Sequence, residues 1–453
     1  MAETETVKEQ ESMDSSGCAL WKKLMHYLIP SVAAQWVFAL YTMVDGMFVA
    51  RGVSEMAMAA INISMPFISL IFALSLIIAV GSSTIISIHF GRKEPDAANH
   101  TYTQNLLSAL VLSLVIVFLV LLGLEPVASC LGADQATVGY VKTYLGTIAC
   151  FTPFFMLGYY FEILIKADGR PKLATLIVTT GSVANCILDY VFIFAVPWGI
   201  FGAAFATGLS QAIACGLYLV YFLGPHATLR LSKFRFSPRL LWRTCKLGVP
   251  SGVTELSSGL MIFLFNHAIL RWIGTDAVVS YTIVAYVNTI IVMSMTGIAQ
   301  GMQPLVSYYY GRNERETGRR LLKYALTAAG ALTLAIGVPT WLGANGIVSL
   351  FISADMPELR AYSAEVFRIF GLSFLLVGVN VVFSGYFTAV ECSQYALAIS
   401  LSRGFVLIVG SLWALATLFG GSGIWWAPVC SEALTLIVTA VPVLHSRRVE
   451  PKP

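Results

Sequence analysis

The chain contains 453 residues, of which 57% are hydrophobic and only 11% are charged. Because a typical soluble domain carries about 25% charged residues, this composition excludes a soluble protein and predicts a polytopic membrane protein. The formal net charge of +4 is small and does not indicate a nucleic-acid partner, so the positions of the charges are more informative. The eight cysteines are scattered and include no CxxC pair, which favours apolar packing over disulfide or metal roles.

Twelve apolar segments follow a polar, acidic N-terminus. Residues 1–20 contain no apolar core of a cleaved signal peptide, so we interpret them as a disordered cytoplasmic tail and the first helix as an uncleaved membrane signal. The predicted helices span 24–50, 56–90, 103–124, 140–165, 173–196, 200–223, 247–270, 278–310, 321–345, 362–390, 396–419 and 423–445. The expected fold is an all-α membrane protein with twelve transmembrane helices and a second cytoplasmic tail at 447–453.

Lysine and arginine residues are distributed unequally over the loops. With the N-terminus and every second loop assigned to the cytoplasm, most of the 28 basic residues fall on that side. The opposite side keeps only Arg51, Lys142, Arg271, Arg360 and Arg368. Since basic loops are retained in the cytoplasm, this asymmetry predicts that both termini are cytoplasmic, in the cell (inner or plasma) membrane.

The basic loop 224–246 divides the chain into two similar halves. It separates a predicted N-lobe (21–223, helices 1–6) from a predicted C-lobe (247–446, helices 7–12). Four residues recur at a constant displacement: Pro30, Gly81, Gly91 and Arg92 correspond to Pro250, Gly301, Gly311 and Arg312. Six helices per lobe make the lobes parallel repeats around a central cavity that opens to either side. The alternative is accidental similarity between glycine-rich helices.

Carboxylates interrupt the apolar segments at Asp45, Glu162, Asp189, Glu255 and Glu432. A charged side chain at the bilayer centre costs about 2.5–3.5 kcal/mol on insertion scales, so each carboxylate requires compensation. No base is expected at mid-span to neutralise them, because Lys166 and Arg403 are assigned to the cytoplasmic side. Such an interior favours protons, metal cations or organic cations over anions. For Glu162 and Glu432 we expect structural roles.

Two of these carboxylates lie at a common depth. Asp45, Asp189 and Thr207 are each about 9–12 Å from the outer surface at a rise of about 1.5 Å per residue. Tyr41 and Asn185 precede the two aspartates by four residues and share their helix faces. Since two close carboxylates are not both ionised at low cost, the pattern predicts an N-lobe pocket that binds a proton or a sodium ion. The alternative for any one residue is a polar contact between packed helices.

Several longer motifs lie along the chain. They are Tyr41-Thr-Met-Val-Asp45, the Gly-Arg turns at Gly91 and Gly311, Lys166-Ala-Asp-Gly169-Arg-Pro171-Lys172, Gly248-Val-Pro250 and Gly297-Ile-Ala-Gln300-Gly301-Met-Gln303-Pro304. With these motifs the chain resembles the multidrug and toxic compound extrusion (MATE) transporters over essentially its whole length after the tail. The resemblance implies antiport of drug-like, cationic and aromatic compounds out of the cell, with H⁺ or Na⁺ as the coupling ion and no other cofactor.

The N-lobe resembles the DinF-type branch of this family. In that branch a cation site uses a Tyr and an Asp of helix 1, an Asn and an Asp of helix 5, and a Thr of helix 6. These positions match Tyr41, Asp45, Asn185, Asp189 and Thr207, including the spacing along the chain. The resemblance therefore implies the same cation site as the depth argument.

The C-lobe departs from the NorM-type pattern, in which a helix 7 Glu and a helix 10 Asp form a sodium site. Helix 7 contains Glu255, but helix 10 has only Asn380 at mid-span and Glu391 at its cytoplasmic end, so we do not expect a sodium site of that type. Two interpretations of Glu255 stay open: a substrate-facing charge, or a structural partner of Ser257, Asn266 or His267. The segments 250–256 and 389–391 resemble relatives of the MepA type.

Polar and aromatic residues of the same helices are candidates for a substrate cavity. They are Glu255, Gln35, Trp36, Asn266, Met261 and Tyr281, with Phe151, Phe154, Phe155, Tyr159 and Tyr286 as further aromatic candidates. The sequence contains no Walker motif and no catalytic constellation, and its His89 and His100 are isolated, so we expect neither an ATP-driven pump, an enzyme nor a metal site. The expected partners are small-molecule drugs, toxic organic cations and membrane lipid, and the expected state is a monomer.

A lipid-linked oligosaccharide or lipid flippase of the same superfamily is the alternative function. It shares the two-lobed architecture, but it is expected to hold a pyrophosphate with basic residues inside its cavity. The sequence places no such residues there. A receptor or scaffold, the third class, has no need of carboxylates at matched depth.

Overall fold

The computed structural model describes residues 17–449, with side chains described for residues 17–443. Within this part of the chain twelve helices are long and apolar enough to cross a membrane, which confirms the expected number. They are α1 (Gly17–Gly52), α2 (Glu55–Gly91), α3 (Pro95–Leu122), α4 (Val138–Ala167), α5 (Pro171–Ala195), α6 (Gly199–Leu223), α7 (Pro238–Trp272), α8 (Asp276–Gly311), α9 (Arg315–Leu342), α10 (Pro357–Ala389), α11 (Ser393–Phe419) and α12 (Gly421–Val449). The predicted tails fall mostly on residues outside the described range, although residues 17–20 belong to α1 and residues 447–449 belong to α12.

Several helix boundaries follow from local chemistry. Proline occupies the first position of α3, α5 and α10, where its missing N–H costs no helical hydrogen bond. The Ser54 side chain accepts a hydrogen bond from the Ala57 amide at 3.1 Å and caps α2. Short helices follow α3 and α9, at Leu124–Cys130 and Ala344–Phe351, and they begin at equivalent positions of the repeat. The predicted repeat therefore extends to elements that the apolar pattern did not distinguish.

Three of the long helices are irregular. The end of α5 is a π-helical segment, Tyr190–Ala195, and α11 contains a second one, Ser402–Val406. A break at residues 372–373 divides α10 into Pro357–Gly371 and Phe374–Ala389. A π-helical segment shifts the register of the side chains that follow it, so these helices present residues in directions that a regular period does not predict.

The chain forms two compact units, which we describe separately. The N-terminal unit is Ala33–Leu256, and the C-terminal unit combines Met1–Val32 with Ser257–Pro453. The division falls inside α1 and α7, and not in the loop between α6 and α7. The lobe limits at 21–223 and 247–446 stay a prediction.

The core of the N-terminal unit lies where α4 packs against α2 and α6. Helices α2 and α7 approach each other through two glycines. Gly81 faces the Thr244 carbonyl oxygen, and Gly248 faces the Ile77 carbonyl oxygen, with no room for a Cβ at either position. Glycine at these positions therefore permits the backbones to touch.

The C-terminal unit repeats this close approach with α8 and α1. Gly301 faces the carbonyl oxygen of Tyr27, again without room for a Cβ. The apolar residues at this contact are Leu20, Leu24 and Leu28 of α1 with Met302, Leu305 and Val306 of α8. Because Gly81 and Gly301 are equivalent in the repeat, each unit packs one of its glycine-containing helices against the first half of α1 or α7.

The segment between α6 and α7 is bound to the polar beginning of α3. Helix α7 begins at Pro238, within the segment 224–246 that the sequence assigns to a loop. Asn99 Oδ1 accepts a hydrogen bond from the Arg230 amide at 2.9 Å, and Thr103 Oγ1 accepts one from the Ser232 amide at 3.0 Å. Gln104 accepts from the Ser237 amide and donates to the Ser237 carbonyl, both at 2.9 Å. These contacts account for the polar residues at the start of an otherwise apolar helix.

Candidate functional site

Two aspartates of the N-terminal unit lie side by side. The carboxyl group of Asp45 on α1 lies next to that of Asp189, the last α-helical residue of α5 before its π-helical segment. Asp189 is 0% exposed and Asn185, one turn earlier, is 1% exposed. The structure therefore brings together the two helices that were paired by depth, and the role of the pair stays a prediction.

The polar atoms of this pocket have few partners. Among the described residues, both carboxyl oxygens of Asp189, Oδ1 of Asp45 and both amide atoms of Asn185 make no hydrogen bond. Buried polar groups are normally hydrogen-bonded, and a buried carboxylate without a partner is costly. A proton shared between the two carboxyl groups, or a cation between them, satisfies these oxygens. A donor set of oxygens suits a proton or a hard cation such as sodium, and not a soft transition metal.

Two tyrosines border the aspartates. Tyr41 on α1 and Tyr144 on α4 are both within electrostatic range of the two carboxyl groups. Tyr41 was predicted for this site, whereas the sequence reasoning missed Tyr144. Tyr144 lies six residues after the start of α4, which is about 9 Å at a rise of about 1.5 Å per residue. The depth rule that paired Asp45 with Asp189 finds Tyr144 when it is applied to α4.

Thr207 of α6, the fifth residue predicted for the cation site, uses its hydroxyl within its own helix. Its Oγ1 donates to the carbonyl oxygen of Ala203 at 3.0 Å. Ser210 Oγ in turn donates to the carbonyl oxygen of Thr207 at 2.8 Å. Neither aspartate is hydrogen-bonded to Thr207 in the described structure, so its place at the cation site stays a prediction.

The position of Asp189 depends on how α5 ends. The π-helical segment Tyr190–Ala195 follows it directly, and Pro197 cannot continue a helix. The Trp198 amide donates to the Phe192 carbonyl oxygen at 3.0 Å, and the rings of these two residues stack with centroids 4.7 Å apart. This contact anchors the end of α5 and holds the turn that carries Asp189.

A cavity lies within the N-terminal unit. Residues of α1, α4, α5 and α6 line it, among them Phe38, Tyr41, Tyr159, Glu162, Asn185, Gln211 and Tyr218. The rings of Phe38 and Tyr41 lie edge to face at 5.1 Å, and those of Phe38 and Tyr159 at 6.5 Å. The cavity thus extends from Asn185, one turn from Asp189, along an aromatic wall to Glu162.

The expectation that no base neutralises the intramembrane carboxylates was wrong for Glu162 and Glu432. Lys166 Nζ donates to Glu162 Oε1 at 2.8 Å, one helical turn along α4. In the C-terminal unit, Arg403 Nε donates to Glu432 Oε1 at 2.6 Å. Both bases extend further into the helices than their positions near the cytoplasmic ends indicated.

Asn380 completes the second of these groups. Its Nδ2 donates to Glu432 Oε2 at 2.7 Å, and its Oδ1 accepts from Thr439 Oγ1 at 3.1 Å. Both oxygens of Glu432 are therefore occupied, one by a guanidinium group and one by an amide. Where the NorM-type pattern requires a carboxylate on helix 10, this chain has an amide that is already hydrogen-bonded.

The candidates for the substrate cavity are divided between the two units. Glu255 lies in the N-terminal unit within electrostatic range of Tyr159, and this is the interaction that the structure records for it. Tyr281 lies in the core of the C-terminal unit at 4% exposure, with its ring stacked on Phe265 at 5.2 Å. The other candidates are exposed Trp36, half-buried Gln35 and Asn266, and Met261, which packs against the C-terminal core.

The chain is similar to known proteins over most of its length. A family model described as MatE matches residues 30–191 and 250–413, two segments that begin at the equivalent prolines Pro30 and Pro250. The multidrug export protein MepA of Staphylococcus haemolyticus (strain JCSC1435) is 25% identical over 444 residues, which cover 98% of this chain and 97% of that protein. MepA of Staphylococcus aureus (strain MSSA476) is 22% identical over 418 residues, or 92% of this chain and 91% of that protein.

Solved structures share the fold. The outward-facing conformation of a multidrug resistance MATE family transporter of the MOP superfamily aligns with a TM-score of 0.89 at 21% identity, covering 95% of this chain and 97% of the other. A MATE structure in complex with MaL6 aligns with a TM-score of 0.88 at 21% identity, covering 96% and 98%. These alignments confirm the expected all-α fold with twelve transmembrane helices.

Proposed function

The chain belongs to the MatE family, and from that premise we propose that it is a secondary active efflux antiporter. It is a multi-pass membrane protein, which we place in the plasma membrane with both termini in the cytoplasm. Its proposed substrates are cationic or amphipathic aromatic compounds, exported in exchange for protons or sodium ions. The asymmetric distribution of Lys and Arg supports the orientation, and the export activity named for the MepA relatives supports the substrate class.

The pair of Asp45 and Asp189 carries this proposal. Two neighbouring carboxyl groups, with three of their four oxygens buried and without a hydrogen-bond donor, form a site that gains a large stabilisation from a single bound cation. A site of this kind can couple an ion gradient to a change of conformation, because the cation has a different affinity for each conformation. The family's outward-facing structure in the comparison supports a cycle of alternating access.

In the proposed cycle the coupling ion enters from the outer side and binds between Asp45 and Asp189. Neutralisation removes the repulsion between the carboxylates and changes the packing of α1 against α4 and α5. This change displaces the substrate from the cavity to the outside and permits the return of the empty protein. Tyr41, Tyr144 and Asn185 supply the hydroxyl and amide groups around the ion.

The cavity chemistry favours export of cations over flipping of a lipid pyrophosphate. The residues that line the cavity include the carboxylate of Glu162 and no Lys or Arg. Lys166, the base nearest to it, is 1% exposed and bound to Glu162. A pyrophosphate needs several exposed donors of positive charge, and the described cavity offers none.

Transport by the purified chain in proteoliposomes tests the proposal. We expect uptake of a fluorescent aromatic cation such as ethidium when a pH gradient or a sodium gradient is imposed, and the effective gradient identifies the coupling ion. Asp45→Asn and Asp189→Asn should each abolish gradient-driven uptake, because an amide cannot release or bind a proton at this site. Asp134→Asn, in an exposed loop, is the matched control and should transport normally. Normal uptake by both amide variants of the pair contradicts the mechanism.

A further inference from the structure

The cavity of the N-terminal unit contains a carboxylate whose charge is already matched. Glu162 lines the cavity, and its side chain is 14% exposed. Lys166 binds Glu162 Oε1 at 2.8 Å, but its side chain is 1% exposed and it is not among the lining residues. A ligand in the cavity therefore meets the carboxylate, while the ammonium group lies behind it.

Only one oxygen of Glu162 is used by this pair. The structure records the bond from Lys166 to Oε1 and no partner for Oε2 among the described residues. Oε2 is not enclosed, since it is absent from the buried atoms without partners. The cavity therefore presents a hydrogen-bond acceptor of an ionised carboxylate whose net charge is cancelled from the other side.

Aromatic rings surround this acceptor. Tyr159 and Tyr218 are both within electrostatic range of the Glu162 carboxylate, and both line the cavity with Phe38. The Tyr218 hydroxyl donates to the Ala174 carbonyl oxygen at 3.3 Å and its side chain is 2% exposed, whereas Phe38 and Tyr159 are half-buried and present ring surface. A planar apolar group beside Oε2 therefore has faces to pack against, and a cation there gains from the rings.

We propose that Glu162 Oε2 accepts a hydrogen bond from the protonated nitrogen of an aromatic amine, and that this bond selects amines with an N–H over quaternary cations of the same size. The inference rests on the proposed function and names the substrate class of its cavity. A charge-assisted hydrogen bond is about twice as strong as a neutral one and requires a donor hydrogen. A quaternary ammonium ion has no such hydrogen and gains little from an ion pair that is neutral overall.

A matched pair of fluorescent ligands separates the hydrogen bond from the charge. Dansylamides with an N-(2-dimethylaminoethyl) or an N-(2-trimethylammonioethyl) group have the same fluorophore and the same charge near pH 7, and only the first carries an N–H⁺. Equilibrium binding is measured by fluorescence with the full-length chain in detergent. We expect the wild-type chain to prefer the tertiary amine by about tenfold, since about 1.4 kcal/mol corresponds to a tenfold change in Kd.

Glu162→Gln should weaken binding of the tertiary amine by about tenfold and change binding of the quaternary ion by less than about threefold. Equal losses for the two ligands, unchanged binding of the tertiary amine, or a wild-type chain that binds neither ligand each contradict the inference. Glu162→Gln leaves Lys166 buried without its carboxylate, which can destabilise the protein. The double variant Glu162→Gln/Lys166→Met removes both charges and is the control for this loss of stability. It should lose the preference in the same way, and a retained preference in the double variant also contradicts the inference.

Lys166→Met removes the counter-ion alone and leaves the Glu162 carboxylate in place. With the carboxylate no longer neutralised, the quaternary ion should bind more tightly and the preference for N–H should shrink. These binding measurements need no ion gradient, so their result does not depend on whether the chain is an antiporter. A chain that prefers the tertiary amine but shows no exchange contradicts the proposed function alone, and one that exchanges ions without this preference contradicts the inference alone.

Discussion

Asp45 and Asp189 differ from two of the other intramembrane carboxylates in their partners. Glu162 is bound by Lys166, and Glu432 is bound by Arg403 and Asn380. In the described structure the aspartate pair has no base within ion-pair distance, and most of its oxygens have no hydrogen bond. This difference in partners is the reason that we proposed the aspartate pair, and not Glu162 or Glu432, as the site of the coupling ion.

Removal of Arg403 alone should lower the stability of the protein more than removal of both charges of the Arg403–Glu432 pair. Arg403→Met leaves Glu432 buried without its counter-ion, which costs about 3–5 kcal/mol, whereas Arg403→Met/Glu432→Gln leaves no charge and keeps an acceptor for Asn380. We expect the thermal unfolding midpoint of the purified single variant to fall well below that of the double variant. A double variant that unfolds at the temperature of the single one contradicts this explanation of the pair.

The two ion pairs were predictable to different degrees. Glu162 and Lys166 are four residues apart on one helix, and this spacing is visible in the sequence. Assigning Lys166 to the cytoplasmic loop concealed the contact, because a long side chain extends back along its helix. Arg403 and Glu432 are 29 residues apart on different helices, and Arg403 lies in a π-helical segment. That pairing depends on helix packing and on a local register change, which residue spacing does not reveal.

At the scale of helices, the depth count agrees with the position of Asp45 beside Asp189, whereas the assumption of regular helices fails in α5 and α11. Counting residues at the constant rise of an α-helix placed Asp45 and Asp189 together, and the same count accounts for Tyr144. The π-helical segments after Asp189 and around Arg403 were not predicted, because the spacing of apolar residues does not distinguish a short π-helical segment from a regular α-helix. Each one is adjacent to an intramembrane charge, as expected if a functional or ionic contact stabilises the irregular backbone.

The turn before α4 offers a test of local structure. Asp134 Oδ1 accepts hydrogen bonds from Thr137 Oγ1 at 2.6 Å, from the Thr137 amide at 2.9 Å and from the Ala136 amide at 3.1 Å. These bonds, first of all the one from the Thr137 hydroxyl, lower the pKa of Asp134 below its ordinary value of 3.8. The carboxylate form therefore stabilises the turn above pH 3.8, and this contribution is lost as the pH falls through the lowered pKa.

Asp134→Ala should accelerate amide hydrogen exchange at residues 136–141 at neutral pH, because the turn loses its acceptor. Asp134→Asn keeps a side-chain carbonyl that can accept the same amide bonds, so it should retain most of the protection. In the wild-type chain, exchange corrected for its intrinsic pH dependence should rise below pH 3.8. Equal exchange in the alanine and asparagine variants contradicts the assignment.

At the scale of the molecule, each unit contains the first half of a long helix whose second half belongs to the other unit. The first half of α7 packs on α2 in the N-terminal unit, and the first half of α1 packs on α8 in the C-terminal unit. Gly81 and Gly301, which are equivalent in the repeat, make the corresponding contacts. The sequence predicted the equivalent glycines and the repeat, but it does not indicate which half of a helix a neighbour contacts, because composition marks only the loops.

Gly81→Val should disrupt the contact between α2 and α7. The added side chain meets the backbone of Thr244, which cannot rotate away, so we expect a loss of at least about 1–3 kcal/mol of stability or failure to fold. Gly216→Val on α6 is the matched control, since nothing lies within 4 Å of a Cβ at that position. Thermal unfolding monitored by size-exclusion chromatography in detergent measures the difference. Equal stability of the two variants contradicts a close approach at Gly81.

The position of α1 has a consequence for synthesis of the chain. Lys23, near its beginning, donates to the Tyr309 hydroxyl at 3.2 Å, a contact that joins residues 286 positions apart. At about 5–20 residues per second, the ribosome needs roughly 15–60 s to make the intervening chain. During that time the first membrane helix to leave the ribosome has no partner for its N-terminal half. The apolar surface of Leu20, Leu24 and Leu28 must be covered by lipid, by the insertion machinery or by a chaperone until α8 is made.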